Sequence, residues 1–234
     1  MKNLIAVDTA TEFCSVAVCN KNGEIFFESA TTSQHHAEMV LKMADSVLEK
    51  AGMTKKDIEG VVFDMGPGSF TGVRVGTSTA QGWALGFNVK IAAVSSLESL
   101  AYQALQKTDS LYAVSAIDAR MGEVYFAVYK KEKGSLLKLD NEQVMSPENA
   151  VKAIVSTLGA NTAVCGGTGI ELLYAAGLNK NIQKHSQFPD AESIIKIGAT
   201  HFEIGSVLDA AEALPLYVRN DVAWKKVSEQ KKTV

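Results

Sequence analysis

The sequence predicts an α/β protein in which one unit, a mixed sheet flanked by helices, occurs twice and gives two lobes. Each half of the chain shows three strand-like runs, then a helix, a strand and a second helix, in the same order. Hairpin-linked strands followed by alternating helix and strand build a mixed sheet with helices on its faces. The 234 residues, 47% of them hydrophobic, are enough to bury the core of such a fold.

The first half opens with three runs rich in Val, Ile and Phe, separated by short polar turns. One of these turns contains Asn22-Gly23, a dipeptide typical of β-hairpins. Ser95 followed by Glu98 has the spacing of a capping box at the start of a helix. The predicted strands are residues 3–9, 14–20, 24–31, 61–64 and 91–94, and the predicted helices are residues 34–51, 71–86 and 95–107.

The second half repeats this order. Ser146-Pro147 combines an N-cap with a proline at the first helical position, and Asp190 is a further candidate N-cap. The predicted strands are residues 112–118, 123–130, 136–144 and 162–165, and the predicted helices are residues 146–158, 166–176 and 190–204. We therefore divide the chain into a first lobe (residues 1–107), a second lobe (residues 108–214) and a C-terminal segment (residues 215–234) that returns to the first lobe.

The composition argues against several classes of protein. A net charge of −3 gives no electrostatic reason for the chain alone to bind nucleic acid strongly. No apolar run approaches the roughly 20 residues of a membrane span, and the first residues lack the pattern of a signal peptide. Cys14, Cys19 and Cys165 have no metal-site spacing and lie in apolar runs, so we expect buried thiols. We expect a cytoplasmic protein that does not contact membranes.

The most unusual stretch is GPGSFTGVRVGTSTAQGWALG, residues 66–86, where a helical pattern contains four glycines. Each glycine inside a helix costs roughly 1 kcal/mol relative to alanine. The spacing matches neither the Walker A nor the Rossmann pattern, although a helix N-terminus can still hold an anion. Gly72, Gly76 and Ala80 recur every four residues and line one face, which would let another helix approach closely. We therefore expect Gly76→Leu to fold and to lose a partner.

The helix of residues 34–51 has two apolar stripes. Val40, Met43 and Val47 form one stripe, and residues 37, 41, 44, 48 and 51 form the other. One stripe is enough to pack a helix on its sheet, so the second indicates a protein–protein interface. Burial of the whole helix inside its own domain is the alternative. The predicted interface residues are His36, Met39, Val40, Met43, Val47, Gly72, Val73, Gly76, Ala80 and Trp83.

We find no catalytic or metal-binding set in the sequence. His35 and His36 open the first long helix, but the residues four positions further on are Met39 and Val40. The spacing of a zinc protease is therefore missing. We predict no catalytic residue and no metal site.

A nucleotide site is the one candidate for chemistry. Asp8 and Asp118 each end the first strand of their half, as the paired aspartates of an actin-like ATPase do. The turns that follow are poor in the glycines and hydroxyls that cradle phosphates, and a tight strand-to-helix turn explains the glycines at 166 and 167 equally well. The candidate residues of a residual nucleotide site are Asp8, Thr9, Thr11, Asp118, Arg120, Gly166 and Gly167.

Arginine is used sparingly. Only three of the 23 basic residues are arginines, namely Arg74, Arg120 and Arg219. Each lies beside Gly, Asp or Tyr, and the rigid guanidinium fork offers bonding geometry that lysine lacks. This pattern indicates specific structural or recognition roles, with chance in so small a sample as the alternative.

Several of these runs together resemble one family. DTATEFCSVAV, HHAEMVL, the glycine-rich run, AIDARMGEVYFAVY and PLYVRNDVAWKK occur in this order along nearly the whole chain. The sequence is similar to the TsaB (YeaZ) family, bacterial subunits in the synthesis of threonylcarbamoyladenosine (t6A) on tRNA. The resemblance implies an actin-like (ASKHA, ribonuclease H-like) fold of two lobes.

The resemblance also implies a function. It implies a non-catalytic subunit that binds and activates a TsaD-like protein through the helices of residues 34–51 and 71–86, and that forms homodimers through the same surface when alone. A TsaE-like ATPase joins the complex, and tRNA is bound only through the complex. We expect no cofactor of the chain's own, with ATP or ADP present only in complex with partners. The alternatives are an active actin-like ATPase or small-molecule kinase and, third, a zinc peptidase.

Overall fold

The computed structural model describes residues 1–31, 36–132 and 134–219. Its first sheet has the strand order β3-β2-β1-β4-β5, in which β1, β2 and β3 are antiparallel and β4 and β5 run parallel to β1. The strands are β1 (Leu4–Asp8), β2 (Phe13–Cys19), β3 (Ile25–Thr31), β4 (Gly60–Asp64) and β5 (Ile91–Val94). The helices of this half of the chain are α1 (His36–Lys50), α2 (Phe70–Phe87) and α3 (Ser96–Gln106).

The second sheet repeats the first in topology. Its strand order is β11-β10-β6-β7-β8, with β9 paired to β7, and the strands β6, β10 and β11 are parallel. The elements are β6 (Tyr112–Arg120), β7 (Glu123–Glu132), β8 (Ser135–Lys138), β9 (Gln143–Met145), α4 (Pro147–Leu158), β10 (Val164–Gly166), α5 (Ile170–Ala175), β11 (Lys184–Ser186) and α6 (Ala191–Ile204). The predicted duplication is therefore confirmed, down to the order of the strands.

The predicted N-cap residues mark the starts of three helices correctly. The side chains of Ser95, Ser146 and Asp190 each accept a hydrogen bond from a backbone N–H in the first turn of the following helix. The predicted strand of residues 136–144 is wrong in extent, because it divides into β8 and β9 around an Asp140 turn. The strand β11 escaped prediction because its three residues are too short for a periodic signal.

The division of the chain at residue 107 does not follow the packing. Leu97, Leu100 and Ala104 of α3 pack on Ala113 and Tyr129 of the second sheet. Conversely, α6 covers the face of the first sheet opposite to α1 and α2, through the residues Ile194, Ile195 and Ile197. Each lobe thus receives one helix from the other half of the chain, and the two crossing helices hold the lobes together.

The described part of the C-terminal segment touches both lobes. The backbone N–H of Leu216 donates to the Met65 carbonyl oxygen in the first lobe, at 2.7 Å. The guanidinium of Arg219 bonds to the Ala119 carbonyl oxygen and to Glu123 in the second lobe. The remainder of this segment, residues 220–234, lies outside the described residues.

The cysteines agree with the expectation of buried thiols. Cys14, Cys19 and Cys165 are buried free thiols, and burial raises the pKa of Cys14 to about 12 and that of Cys165 to about 11. Within residues 1–31, 36–132 and 134–219, no helix has the length and apolarity to cross a membrane.

Candidate functional site

The N-terminal half of α2 packs directly on the end of β1. A Cβ atom added to Gly68 or Gly72 would collide with the backbone carbonyl of Ala10 or Thr9, closer than the 3.0 Å below which real Cβ atoms are essentially never found. At Gly76 it would lie 2.8 Å from the Thr9 hydroxyl. The predicted partner role of the glycines at 72 and 76 is therefore wrong, because these glycines serve packing inside the first lobe. Gly76→Leu would disturb the fold itself.

Two buried aspartates lie beneath this contact, at the carboxyl ends of the neighbouring parallel strands β1 and β4. Asp8 Oδ1 accepts from the Ala10 N–H at 2.8 Å, and Asp64 Oδ1 accepts from the Gly66 N–H at 2.7 Å and from the Ser96 hydroxyl at 2.6 Å. Within the described residues, the Oδ2 atom of each aspartate is buried and has no hydrogen-bond partner.

The two buried carboxyl groups influence each other's protonation. Burial raises the pKa of Asp64 to about 6, and burial together with the charge of Asp64 raises the pKa of Asp8 well above its usual range. Asp8 therefore holds a proton more tightly than Asp64 does. A buried, protonated carboxyl is a poor ligand for a magnesium ion, which prefers ionised and accessible carboxylates.

We call the end of β1 together with the start of α2 the first corner, and the end of β6 together with the residues before α5 the second corner. The second corner has the same close backbone contact but is open to solvent. A Cβ atom on Gly167 would collide with the Ala116 carbonyl oxygen, much as at Gly72. The Thr168 hydroxyl accepts from the Asp118 N–H at 3.1 Å. The Asp118 side chain is 31% exposed and pairs with Arg120, which is 79% exposed.

A cavity of about 580 Å³ separates the two corners and is the candidate ligand cleft of the chain. Thr11, Asp118 and Arg120 line it, whereas Asp8, Thr9, Gly166 and Gly167 are buried away from it. The structure therefore brings together only part of the predicted nucleotide site. Arg219 and Leu216 of the C-terminal segment also line the cavity, a contact that no local sequence pattern indicates.

The three arginines make side-chain contacts around this cleft. The Arg74 guanidinium lies 3.3 Å from the centre of the Phe70 ring, and its Nε donates to the Tyr217 hydroxyl at 3.0 Å. Arg120 pairs with Asp118, and Arg219 pairs with Glu123. All three thus have specific structural contacts, whereas a role in recognition stays a prediction.

The predicted interface residues divide into a buried set and a partly exposed set. Those buried in the first lobe, and therefore wrongly assigned to a surface, are Val40, Met43, Val47, Gly72, Val73, Gly76 and Ala80. His36, Met39 and Trp83 are partly exposed, and His36 Nε2 is a buried atom without a partner in the described residues. His35 lies outside the described residues. The alternative of a helix packed into its own domain accounts for both stripes of α1, except at Ala37 and Leu41.

The exposed side of α2 carries a different ridge, which sequence reasoning missed. Its members recur every four residues and are exposed: Phe70, Arg74, Ser78, Gly82 and Gly86. A Cβ atom on Gly82 or Gly86 would have nothing within 4 Å. The signal was present in the sequence, because the two glycines are also four residues apart, out of phase with Gly72 and Gly76. We call these five residues the outer ridge of α2.

No group of three or more His, Cys, Asp or Glu side chains within the described ranges has the arrangement of a metal site. The geometry thus offers a cleft with a sealed first corner, an open second corner and an exposed ridge on α2 that ends in small residues.

Comparisons with known proteins fit this arrangement. Residues 27–203 match the family model of TsaD, tRNA N6-adenosine threonylcarbamoyltransferase. The chain is 35% identical to the tRNA threonylcarbamoyladenosine biosynthesis protein TsaB of Escherichia coli, covering 96% of this chain and 97% of the relative, and 34% identical to that of Haemophilus influenzae, covering 96% of each. Its fold matches the solved structure of YeaZ from Pseudomonas aeruginosa with a TM-score of 0.86 at 30% identity, covering 93% of this chain and 100% of that one. The chain therefore belongs to the TsaB (YeaZ) family and has its two-lobed actin-like fold.

Proposed function

We propose that the chain acts in t6A synthesis on tRNA as a non-catalytic subunit that binds and activates a TsaD-like threonylcarbamoyltransferase. The names of its relatives support the pathway. The observation that supports the binding mode is the outer ridge of α2, where Gly82 and Gly86 leave open space beside an exposed helix. Small residues at such a position allow the backbones of two helices to approach closely.

The contact surface in this proposal is the outer side of α1 and α2. Leu41 of α1 and Leu85 of α2 are exposed there, at 55% and 72%. The same surface holds a second copy of the chain in a homodimer when the partner is absent. A TsaE-like ATPase joins the assembled complex, and tRNA is bound only by that complex.

The absence of catalysis is also part of the proposal. Asp8, which an actin-like ATPase would aim at a Mg-nucleotide, is fully buried beneath α2, and burial raises its pKa well above the usual range. The chain accordingly needs no cofactor of its own, and ATP or ADP acts only when partners are bound. This geometry disfavours the alternative of an active ATPase or small-molecule kinase.

The test is Gly82→Leu, which places bulk on the ridge without touching the lobe. Because glycine costs roughly 1 kcal/mol inside a helix, the variant is expected to unfold at the same or a higher temperature than the wild type. We expect it to lose co-purification with the TsaD-like partner, measured by light scattering after size exclusion. ATP turnover, followed in the same samples, is expected to be absent for the chain alone.

Ser156→Leu is the matched control, because it adds an exposed leucine to α4 in the second lobe. It should retain the partner at the wild-type level. Retention of the partner by Gly82→Leu would refute the assignment of the ridge. ATP turnover by the isolated chain would instead favour an independent actin-like enzyme.

A further inference from the structure

The mouth of the cleft carries an exposed patch that the fold does not require. We call Phe70, Arg74, Arg120, Met121 and Tyr217 the cleft-mouth patch. Among the large apolar side chains in the described residues, Met121 is the most exposed, at 83%, and Phe70 and Tyr217 are 62% and 52% exposed. Aromatic residues, Met and Arg are the types that protein interfaces favour over the rest of the surface.

Met121 is held in a conformation that its side chain disfavours. It forms a two-residue turn with Gly122 between β6 and β7, and both residues have positive φ, 57° for Met121 and 79° for Gly122. Such turns favour Asn, Asp or Gly at both positions. The Met121 sulfur gains only a weak contact with Arg219, 3.5 Å from Nη1. Neither turn geometry nor burial favours a methionine here, and its exposed side chain is available for a contact outside the chain.

The charges of the patch favour a protein over a polyanion. Arg120 and Arg219 are matched by Asp118 and Glu123. Arg74 has no carboxylate partner in the described residues and lies instead against Phe70 and Tyr217. A surface with one unmatched positive charge and three exposed apolar side chains does not attract phosphate backbones strongly, whereas it resembles the anchor clusters of protein interfaces.

The patch is continuous with the outer ridge of α2. Phe70 and Arg74 belong to both, about two turns and one turn before Ser78 on the same line of residues. Phe70 and Arg120 line the same cleft from opposite lobes. A partner that lies along the ridge can therefore extend its contact directly onto the second lobe.

We propose that the TsaD-like partner that occupies the ridge also contacts the second lobe at the cleft mouth, with Met121 and Phe70 as apolar anchors. This inference rests on the proposed function. It requires apolar partner surface opposite these two side chains and an acceptor group for Arg74. One partner then spans both lobes and fixes the angle between them.

The test is Met121→Asn, measured as the affinity of the full chain for the purified TsaD-like partner. Asn adopts positive φ readily, so the thermal midpoint should stay the same or rise. We expect the affinity to fall by about tenfold or more, as for the loss of an interface anchor. Met121→Gly should weaken binding in the same direction, because glycine also suits the positive φ, and it keeps the test decisive if the Asn variant folds poorly.

Val155→Asn is the matched control, because Val155 is 54% exposed on α4 of the same lobe. It should bind the partner like the wild type. If Gly82→Leu abolishes binding while Met121→Asn and Met121→Gly bind normally, the proposed function stands and this inference fails. If wild type itself does not bind, the proposed function fails. Normal partner affinity combined with weaker tRNA binding by the assembled complex would also overturn the inference, in favour of an RNA contact.

Discussion

Both lobes contain a corner in which the first strand of the sheet ends against the glycine-rich start of a helix. The side chains buried at this corner differ between the two lobes. In the first lobe Gly72 lets α2 rest on Thr9, and in the second lobe Gly167 lets the chain before α5 rest on Ala116. Beneath the first corner lie Asp8 and Asp64, both fully buried. The strand β10, which is equivalent to β4, ends in Gly166 and supplies no carboxyl group.

The helices differ accordingly. The helix α2 is 18 residues long and closes the first corner, whereas α5 has 6 residues and leaves Asp118 and Arg120 at the surface of the cleft. Duplication has preserved the backbone contact and let the side chains diverge. The first corner is fully packed, whereas the second corner leaves Asp118 and Arg120 partly exposed in the cleft.

The largest effect is expected for the feature that both corners share, the close contact between a glycine and a backbone carbonyl. Gly72→Ala and Gly167→Ala each force a Cβ atom into a backbone carbonyl, which side-chain movement cannot relieve. We expect each to lower the free energy of unfolding by about 3 kcal/mol or more, measured by urea denaturation. Gly82→Ala is the control, because it adds the same atom to open space in α2 and should stabilise the chain by up to about 1 kcal/mol. Equal stability of all three variants would show that the close contacts do not constrain the corners.

The second prediction tests the main difference between the corners, namely the buried carboxyl pair that only the first corner has. The pKa of Asp64 is about 6 in the folded chain, against an ordinary value of 3.8. Between these values the folded chain binds more protons than the unfolded chain, so the free energy of unfolding falls as the pH rises through this window, and Asp8 extends the fall to higher pH. We expect Asp64→Asn to reduce the stability difference between about pH 4 and about pH 8 by about 2 kcal/mol.

Asp118→Asn is the matched control in the open corner and should leave that difference nearly unchanged. Glu98, whose pKa burial raises to about 7, contributes in the same direction in every variant. The comparison of variants therefore carries the test. An Asp64→Asn variant with the full wild-type slope would contradict a raised pKa of Asp64 in the folded chain.

The sequence was sufficient to predict the duplication because element type and order depend on local patterns. Ser146, Asp190 and the Asn22-Gly23 turn act over a few residues, and each marks an element end in the structure. The exchange of α3 and α6 between the lobes depends on which apolar face meets which sheet. That information lies in contacts between residues far apart in the chain, such as Leu100 with Val164 in one cluster.

The site was harder to predict for the same reason. A four-residue spacing defines a face of α2 but not its neighbour, so Gly72 and Gly76 were assigned outward although they face Thr9. Asp64 was missed, although the sequence holds a signal for it: VVFD, like IAVD before it, is an apolar strand ending in Asp. Two such strands that lie side by side in a parallel sheet bring their carboxyl groups together.

The smallest expected effect compares one hydroxyl in each corner. The Thr9 hydroxyl donates to the Gly72 carbonyl oxygen at 2.7 Å in a fully buried setting, and the Thr168 hydroxyl accepts from Asp118 in a partly exposed one. Thr→Val keeps the shape and removes the hydrogen bond. At residue 9 no water can replace the donor, so we expect a loss of about 1 kcal/mol in the free energy of unfolding. At residue 168 water can reach the freed N–H, so the loss should stay below about 0.5 kcal/mol. Urea denaturation of both variants measures the difference, and equal losses would mean that water reaches the first corner as freely as the second.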